Sequence, residues 1–462
     1  MVLNPLRINI LPESLPLKKL VGPSFILLGL SLGSGEIILW PYLTAHYGMG
    51  IIWGALLGIT FQFFMNMEIE RYALINGESV FVGLARKIRW LPLWFLLSTF
   101  VPWIWPGIIA SSAKLIGHVF GIEKTEYLAV AFLITAGAIL TLGPILYKTV
   151  EGLQKTLIVV GVPTIFVLSV ILTKQTHWAD LFKGFVGIGN GYLFLPAGIP
   201  VASFLAALAY AGAGGNLNLA QSFYIKEKGY GMGKYAGRIT SLFAGKGEDV
   251  SLAGTTFEPT AENLYRFKKW WRNINIEHLT VFWLTGTITI ALLSLLAYVT
   301  VFGTSGTEGI GFVLAEAEKI SSLTFTALGT FFLIIAGLTL FGTQLTVFDA
   351  VGRILAENVV LSFSKYLTEK QIPKTYYCVI WLQIIAGIII LLLGFAEPLH
   401  LLTLAAVLNA FAMFVHVGLT LWLNLTTLAN QLKPSVPRIA AMIAAFLFYG
   451  GFSVYTVITY LT

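Results

Sequence analysis

The chain has 462 residues, of which 57% are hydrophobic and only 11% charged, where a soluble globular domain carries roughly 25% charged residues. That shortage of polar surface excludes a soluble enzyme, a disordered chain and a nucleic-acid-binding module. It points to a polytopic α-helical membrane protein. The net charge of +7 is then a matter of topology, and the single cysteine, Cys378, excludes an intrachain disulfide and a cysteine metal cluster.

The first 20 residues are interrupted by Pro5, Pro12 and Pro16 and hold no continuous apolar run before Lys18 and Lys19, so no signal peptide is expected. Eleven apolar stretches then follow, each long enough to cross a bilayer. They run approximately over 22–46, 50–67, 91–117, 127–146, 154–173, 196–225, 277–302, 322–350, 375–394, 398–425 and 437–461. Long apolar runs such as Val379–Phe395 are unlike the short alternating segments of an outer-membrane barrel. With the N-terminus in the cytoplasm, 24 of the 29 Lys and Arg fall on the inside and 4 outside, with Lys114 inside span 3. This bias predicts a cytoplasmic N-terminus and an extracytoplasmic Thr462 in an integral protein of the cell membrane. In a Cys378→Ser background, an impermeant thiol reagent outside should reach a cysteine placed at 462 and miss one at 246; the reverse would overturn the orientation.

Span 3 carries Trp103, Trp105 and Pro106 and is expected to kink. The longest loop, 226–276, is basic. Its stretch EPTAENLYRFKKWWRNINIEH reads as a short interfacial helix, with Pro259 in the first turn and Leu264, Phe267 and Trp271 on one face. Arg266, Lys268, Lys269 and Arg272 would meet anionic lipid headgroups; a solvated connector is the plainer alternative. The same loop holds GYGMGK at 229–234 and AGKGED at 244–249, but neither follows a strand, which argues against a phosphate loop.

Two spans carry a glycine cluster followed at once by a polar residue. Span 1 reads GLSLGSGEIILWP, with Gly29, Gly33 and Gly35 before Glu36. Span 6 reads AYAGAGGNLNLAQS, with Gly212, Gly214 and Gly215 before Asn216. One such cluster is explained by close helix packing. These two open successive groups of five spans, and an odd number of spans inverts the second group. Interrupted helices at matching places in inverted halves mark the binding site of a secondary transporter. Glu36 is the only acidic residue deep in a span and is read either as a ligand or proton carrier or as a half-helix cap. Ser34, Asn216, Asn218 and Gln221 add neutral oxygens, as do carbonyls freed near Gly33 and Tyr210–Gly212. Gln344, Thr343 and Asn409 are further candidates, each equally suited to an interhelical hydrogen bond. Lone His416 suits structure better than a proton relay. Asp349 and Arg353, four apart, read as a local helix pair. Glu68, Glu70 and Arg71 end span 2 as a solvated terminus or an inner gate.

These residues resemble the Nramp divalent-metal transporters, and more closely their divergent Nramp-like relatives. The likeness covers spans 1–10. It rests on GPSFILLGLSLGSGE at 22–36, GAGGNLNLAQS at 212–222 and TFEPTAENLYRFKKWWRNINIEH before span 7. It implies an all-α LeuT-type fold in one transmembrane domain, 1–462, with two inverted five-helix repeats (approximately 22–173 and 196–425) plus an eleventh helix at 437–461. It also implies metal uptake coupled to protons. The family's DPGN motif is here Gly33-Ser34-Gly35-Glu36, so Gly33 stands where a metal-ligand aspartate would be. Its MPHN motif is here Ala213-Gly214-Gly215-Asn216, so Ala213 replaces the thioether, Gly215 replaces a histidine used in proton movement, and Asn216 alone is kept. The resulting candidate ion-binding set is Gly33, Ser34, Glu36, Tyr210, Ala213, Asn216, Asn218, Gln221 and Gln344, with Glu36 and Asn216 as metal ligands.

Without Met, Cys or His at the breaks, nothing there selects a soft metal. One carboxylate and neutral oxygens suit a hard cation, Na⁺, a proton or the ammonium of an organic solute. The leading expectation is a cation transporter working by alternating access; the alternative is an ion-coupled transporter of an amino acid or other small solute. A transport-dead receptor or scaffold on the same fold is the third reading. No nucleophile–base pair suggests an intramembrane enzyme, and the expected partners are a small ion or solute and membrane lipid, with no nucleic acid and no cofactor.

Overall fold

The computed structural model describes residues 3–20, 22–142, 146–236, 251–304, 308–395 and 397–461. AGKGED at 244–249 and Thr462 lie outside the described residues. Ten continuous helices are long and apolar enough to cross a membrane. They are span 1 (Pro23–Tyr47), span 2 (Met49–Asn76), span 3 (Leu91–Phe120), span 4 (Thr125–Leu142), span 5 (Val150–Leu172), span 7 (Ala261–Val301), span 8 (Thr326–Ser362), span 9 (Glu369–Leu392), span 10 (Pro398–Thr427) and span 11 (Val436–Ile458). Span 6 is the eleventh apolar stretch, and it is built in pieces. Val201–Ala209 is α-helical, Gly215–Ala220 is a tight 3₁₀ turn, and Gln221–Lys228 resumes the α-helix. Its glycines, described below, explain why no single helix covers it.

Span 1 is the centre of the molecule. Of its most apolar window 94% is buried, against 28% for spans 4 and 5. A helix apolar all round belongs in the interior. Span 3 bends where Trp103 and Pro106 predict, with one helix ending at Trp103 and the next starting at Gly107.

The stretch before span 7 differs from expectation. It is no separate interfacial helix but the first part of a 41-residue helix, Ala261–Val301, which continues through a wider π turn at Leu279–Leu284. Thr260 is the cap, its hydroxyl accepting from the Asn263 amide at 3.3 Å, so Pro259 sits before the cap and not in the first turn. The buried face is Asn263, Phe267, Trp270 and Ile274, while Leu264 and Trp271 are half-buried. That face meets the N-terminal segment. Arg266 donates to the Leu11 carbonyl and the Trp270 indole to the Pro12 carbonyl, both at 2.8 Å. Strand β1 (Arg7–Ile8) pairs in parallel with β2 (Thr255–Thr256), and Leu11 and Leu20 are fully buried. Lys268, Lys269 and Arg272 remain exposed.

Candidate functional site

The glycine cluster of span 6 breaks its helix, that of span 1 loosens its helix without ending it, and the two places press together. In span 1 the α-helical Pro23–Ser31 gives way to a turn at Leu32 and Gly33, and a π segment, Ser34–Leu39, leads into Trp40–Tyr47. In span 6 the chain leaves the helix at Tyr210 and passes through Gly214 at φ +77° and Gly215 at φ +57°. Left-handed backbone of this kind suits glycine. A Cβ at Gly35 would stand 1.7 Å from the Tyr210 carbonyl oxygen, and one at Gly215 would stand 1.8 Å from Asn409 Oδ1. Gly33 meets span 8, where a Cβ would fall 2.5 Å from Thr343 Oγ1. Thr343 itself donates to the Gly29 carbonyl at 2.9 Å.

Around the span 6 break the polar groups converge from spans 2, 3 and 10. Gln62, on span 2, bridges the opening: its amide donates to the Ala209 carbonyl at 2.9 Å and its oxygen accepts from the Gly214 amide at 3.3 Å. It satisfies backbone groups that the break orphans. Tyr210 stacks on Trp103 at 5.5 Å and accepts from Asn409 at 2.9 Å. Asn216 donates to Ser98 at 2.8 Å and Thr99 at 2.9 Å on span 3. His416 Nε2 lies 3.0 Å from the Gly215 carbonyl, so that nitrogen carries the proton and donates. Several buried atoms are left without a partner: Asn216 Oδ1, Asn409 Oδ1, and both polar atoms of Asn218 and of Asn66. Buried polar groups are normally bonded, and each unmet one costs about 1–3 kcal/mol. Unmet amide oxygens at the span 6 break are groups that a cation could satisfy.

Glu36 is placed elsewhere than the sequence suggests. Its Oε1 accepts from Ser31 at 2.7 Å and its Oε2 from the Thr289 hydroxyl on span 7. Asn216 reaches span 3 instead. The structure therefore does not bring Glu36 and Asn216 together as a metal pair. Gln221 also turns away from the break, donating to Glu70 on span 2 at 2.6 Å. Ser34, Ala213 and Gln344 are buried beside the breaks. Among the described residues, no group of three or more His, Cys, Asp or Glu is arranged to hold a metal. Gln62, Asn66, Ser98, Thr99 and Thr289 are the residues that sequence reasoning missed. Their one signal was a polar side chain within an apolar span.

The two sides of the breaks differ. On the face away from the N-terminus, a cavity of about 630 Å³ lies between spans 1, 6 and 10, lined by Leu39, Tyr42, Ser203, Thr403 and Val407 among others. Leu39 and Val407 stand within one turn of Glu36 and Asn409 in sequence. On the N-terminal face a cavity of about 730 Å³ is lined by Pro12, Leu15, Lys228, Lys234 and Trp270 among others, and the side chains of Ser24, Glu70, Gln221 and His278 in spans 1, 2, 6 and 7 are buried.

No family model and no curated protein matches the chain by sequence. Solved structures do match over nearly its whole length. The Eremococcus coleocola manganese transporter, as its H236A mutant, aligns with a TM-score of 0.66 at 13% identity over 97% of each chain. The chain has the LeuT-type fold. Two further transporters align over nearly their whole length. Mhp1, a nucleobase-cation-symport-1 family transporter with bromovinylhydantoin bound, gives a TM-score of 0.55 at 12% identity, covering 99% of this chain and 97% of that one. MhsT in complex with L-phenylalanine gives 0.51 at 15%, covering 94% and 97%. At these identities the likeness is one of fold: two inverted five-helix repeats, with spans 1 and 6 opening them, and an eleventh helix.

Proposed function

We propose that this protein is a secondary active transporter that moves a cation across the cell membrane by alternating access. The carrying observation is the set of unpartnered amide oxygens, Asn216 and Asn218 in the span 6 break and Asn409 packed against Gly215 there. The charge bias puts the N-terminus in the cytoplasm, so the 630 Å³ cavity faces outward, and we read the buried layer of Ser24, Glu70, Gln221 and His278 as the closed inner side. The likeness to a manganese transporter supports a metal ion as substrate. The donors present are neutral oxygens, which favour a hard cation over a soft one.

Reconstituted protein should therefore accumulate a cation, with less than about tenfold preference for Mn²⁺ or Cd²⁺ over Mg²⁺. Strong Cd²⁺ selectivity in proteoliposome uptake would sink the neutral-oxygen site. Ala213→Met alone should not create such selectivity, because position 33 still lacks a carboxylate. Thr343 leaves no room there for a larger side chain. The second reading, an organic solute, is favoured by the size of the outward cavity, well above the roughly 300 Å³ such a ligand needs. Uptake of amino acids or nucleobases, with no ion accumulated beyond the coupling ion, would decide for it.

A further inference from the structure

The closed inner face holds a cluster that the ion site does not use. Ser24 on span 1 donates to Glu277 Oε2 at 2.5 Å and lies 2.8 Å from His278 Nδ1, both on span 7. His278 Nδ1 is 3.4 Å from Glu70 Oε1 on span 2, which also accepts from Gln221 on span 6. Four spans thus meet at their inner ends through hydrogen bonds on either side of one His278–Glu70 contact. The side chains are buried, and the His278 ring is stacked between Phe63 and Phe282.

Charge around the cluster is uneven. Arg71 and Arg438 both contact Glu68, and Lys155 and Lys228 both contact Glu151. Among the described residues neither Glu70 nor Glu277 has a Lys or Arg at ion-pair distance. Both carboxyls approach the same Ser24–His278 pair, and two charges buried this way repel each other, which one shared proton relieves. The imidazole is a poor place for that proton. Its Nδ1 serves Ser24 and Glu70, and its Nε2 has no partner, so a second N–H would be a buried orphan donor. Glu277 Oε1 is also without a partner. So is the buried Tyr230 hydroxyl.

We propose that Ser24, Glu70, Gln221, Glu277 and His278 form a proton-binding latch that holds the cytoplasmic ends of spans 1, 2, 6 and 7 closed, and that the latch opens as its proton passes to cytoplasmic water. The proposal rests on the alternating-access reading above. Separating span 1 from span 7 hydrates the two carboxyls and lets both ionise. The closed state therefore binds one more proton than the open one, so acid favours closure and alkali opening.

The test is the distance between spin labels at Leu17→Cys and Tyr366→Cys, two exposed positions on this face. It uses the full chain in lipid nanodiscs with Cys378→Ser, titrated from about pH 5 to about pH 9. A longer, open-state distance should grow at least about fivefold in population as pH rises. Glu277→Gln and Glu70→Gln each mimic the protonated carboxyl and should stay closed throughout. Ser24→Ala removes a donor that favours the ionised Glu277, so the transition should move up by about one pH unit. It keeps the test open if the Gln variants do not fold. A pH-independent distribution in the parent, or a parent-like titration in Glu277→Gln or an unshifted one in Ser24→Ala, overturns the proposal. The readout needs no transported substrate. Ion uptake without pH-dependent opening would sink only the latch, and pH-dependent opening without ion uptake only the cation reading.

Discussion

Gly35→Ala should abolish transport and destabilise the fold by about 3 kcal/mol or more. The added Cβ would stand 1.7 Å from the Tyr210 carbonyl oxygen and 2.6 Å from its carbon. Those are backbone atoms, so no rotamer change can relieve the clash. Either the span 1 break must back away from span 6 or the span 6 break must unwind further. Both outcomes disturb the place where the unpartnered amides gather. Gly451→Ala is the matched control. It lies within span 11 with nothing within 4 Å of the new Cβ, and alanine there should be neutral or stabilising by up to about 1 kcal/mol. Thermal melting of both purified variants, with uptake measured on the same preparations, checks the pair. A Gly35→Ala protein that melts and transports like its parent would mean that the two breaks do not touch in the working molecule.

The glycines were legible because they recur at matching places in two halves of the chain; span 6 breaks where its cluster stands, and span 1 only loosens into a π segment there. No sequence period announces a π turn. What lies between the breaks was less legible. Glu36 read as part of the ion site because it is the only acidic residue deep in a span and follows the glycines; its carboxyl accepts from Ser31 and Thr289. Gln221 looked like one more neutral oxygen at the break, yet it serves Glu70. Gln62 looked like an isolated polar residue in span 2, yet it closes the gap that span 6 leaves. The helix before span 7 was cut short at the composition change near Glu277, because a polar amphipathic stretch and an apolar one read as separate elements. Helical hydrogen bonding is indifferent to that change, and the apolar face of the polar half is buried against the N-terminal segment.

Glu36→Gln should leave the melting temperature close to that of the parent and lower concentrative uptake by at least about tenfold. The geometry explains why the two effects separate. Ser31 Oγ has two acceptors in reach, Glu36 Oε1 at 2.7 Å and the Leu28 carbonyl at 2.9 Å. The Thr289 hydroxyl likewise reaches Glu36 Oε2 or the carbonyls of Thr285 and Gly286, each at 3.0 Å. Facing an ionised carboxylate, both hydroxyls donate to it. Facing a protonated acid, one hydroxyl turns to its own helix and accepts from the acid. The pocket thus satisfies either protonation state without orphaning a buried group, which is what a proton carrier needs and a fixed counter-ion does not. A glutamine amide can make the same donations as the neutral acid, so stability should change by less than about 1 kcal/mol. It cannot ionise, so any step that loads or unloads a charge at this position stops. Had Glu36 served as a half-helix cap, its loss would cost about 0.5–2 kcal/mol and transport would survive. Both oxygens here accept from hydroxyls, which speaks against that role. Uptake by Glu36→Gln at the parent's rate would show the carboxyl to be structural, and would move the search for the charge-carrying group to the inner cluster.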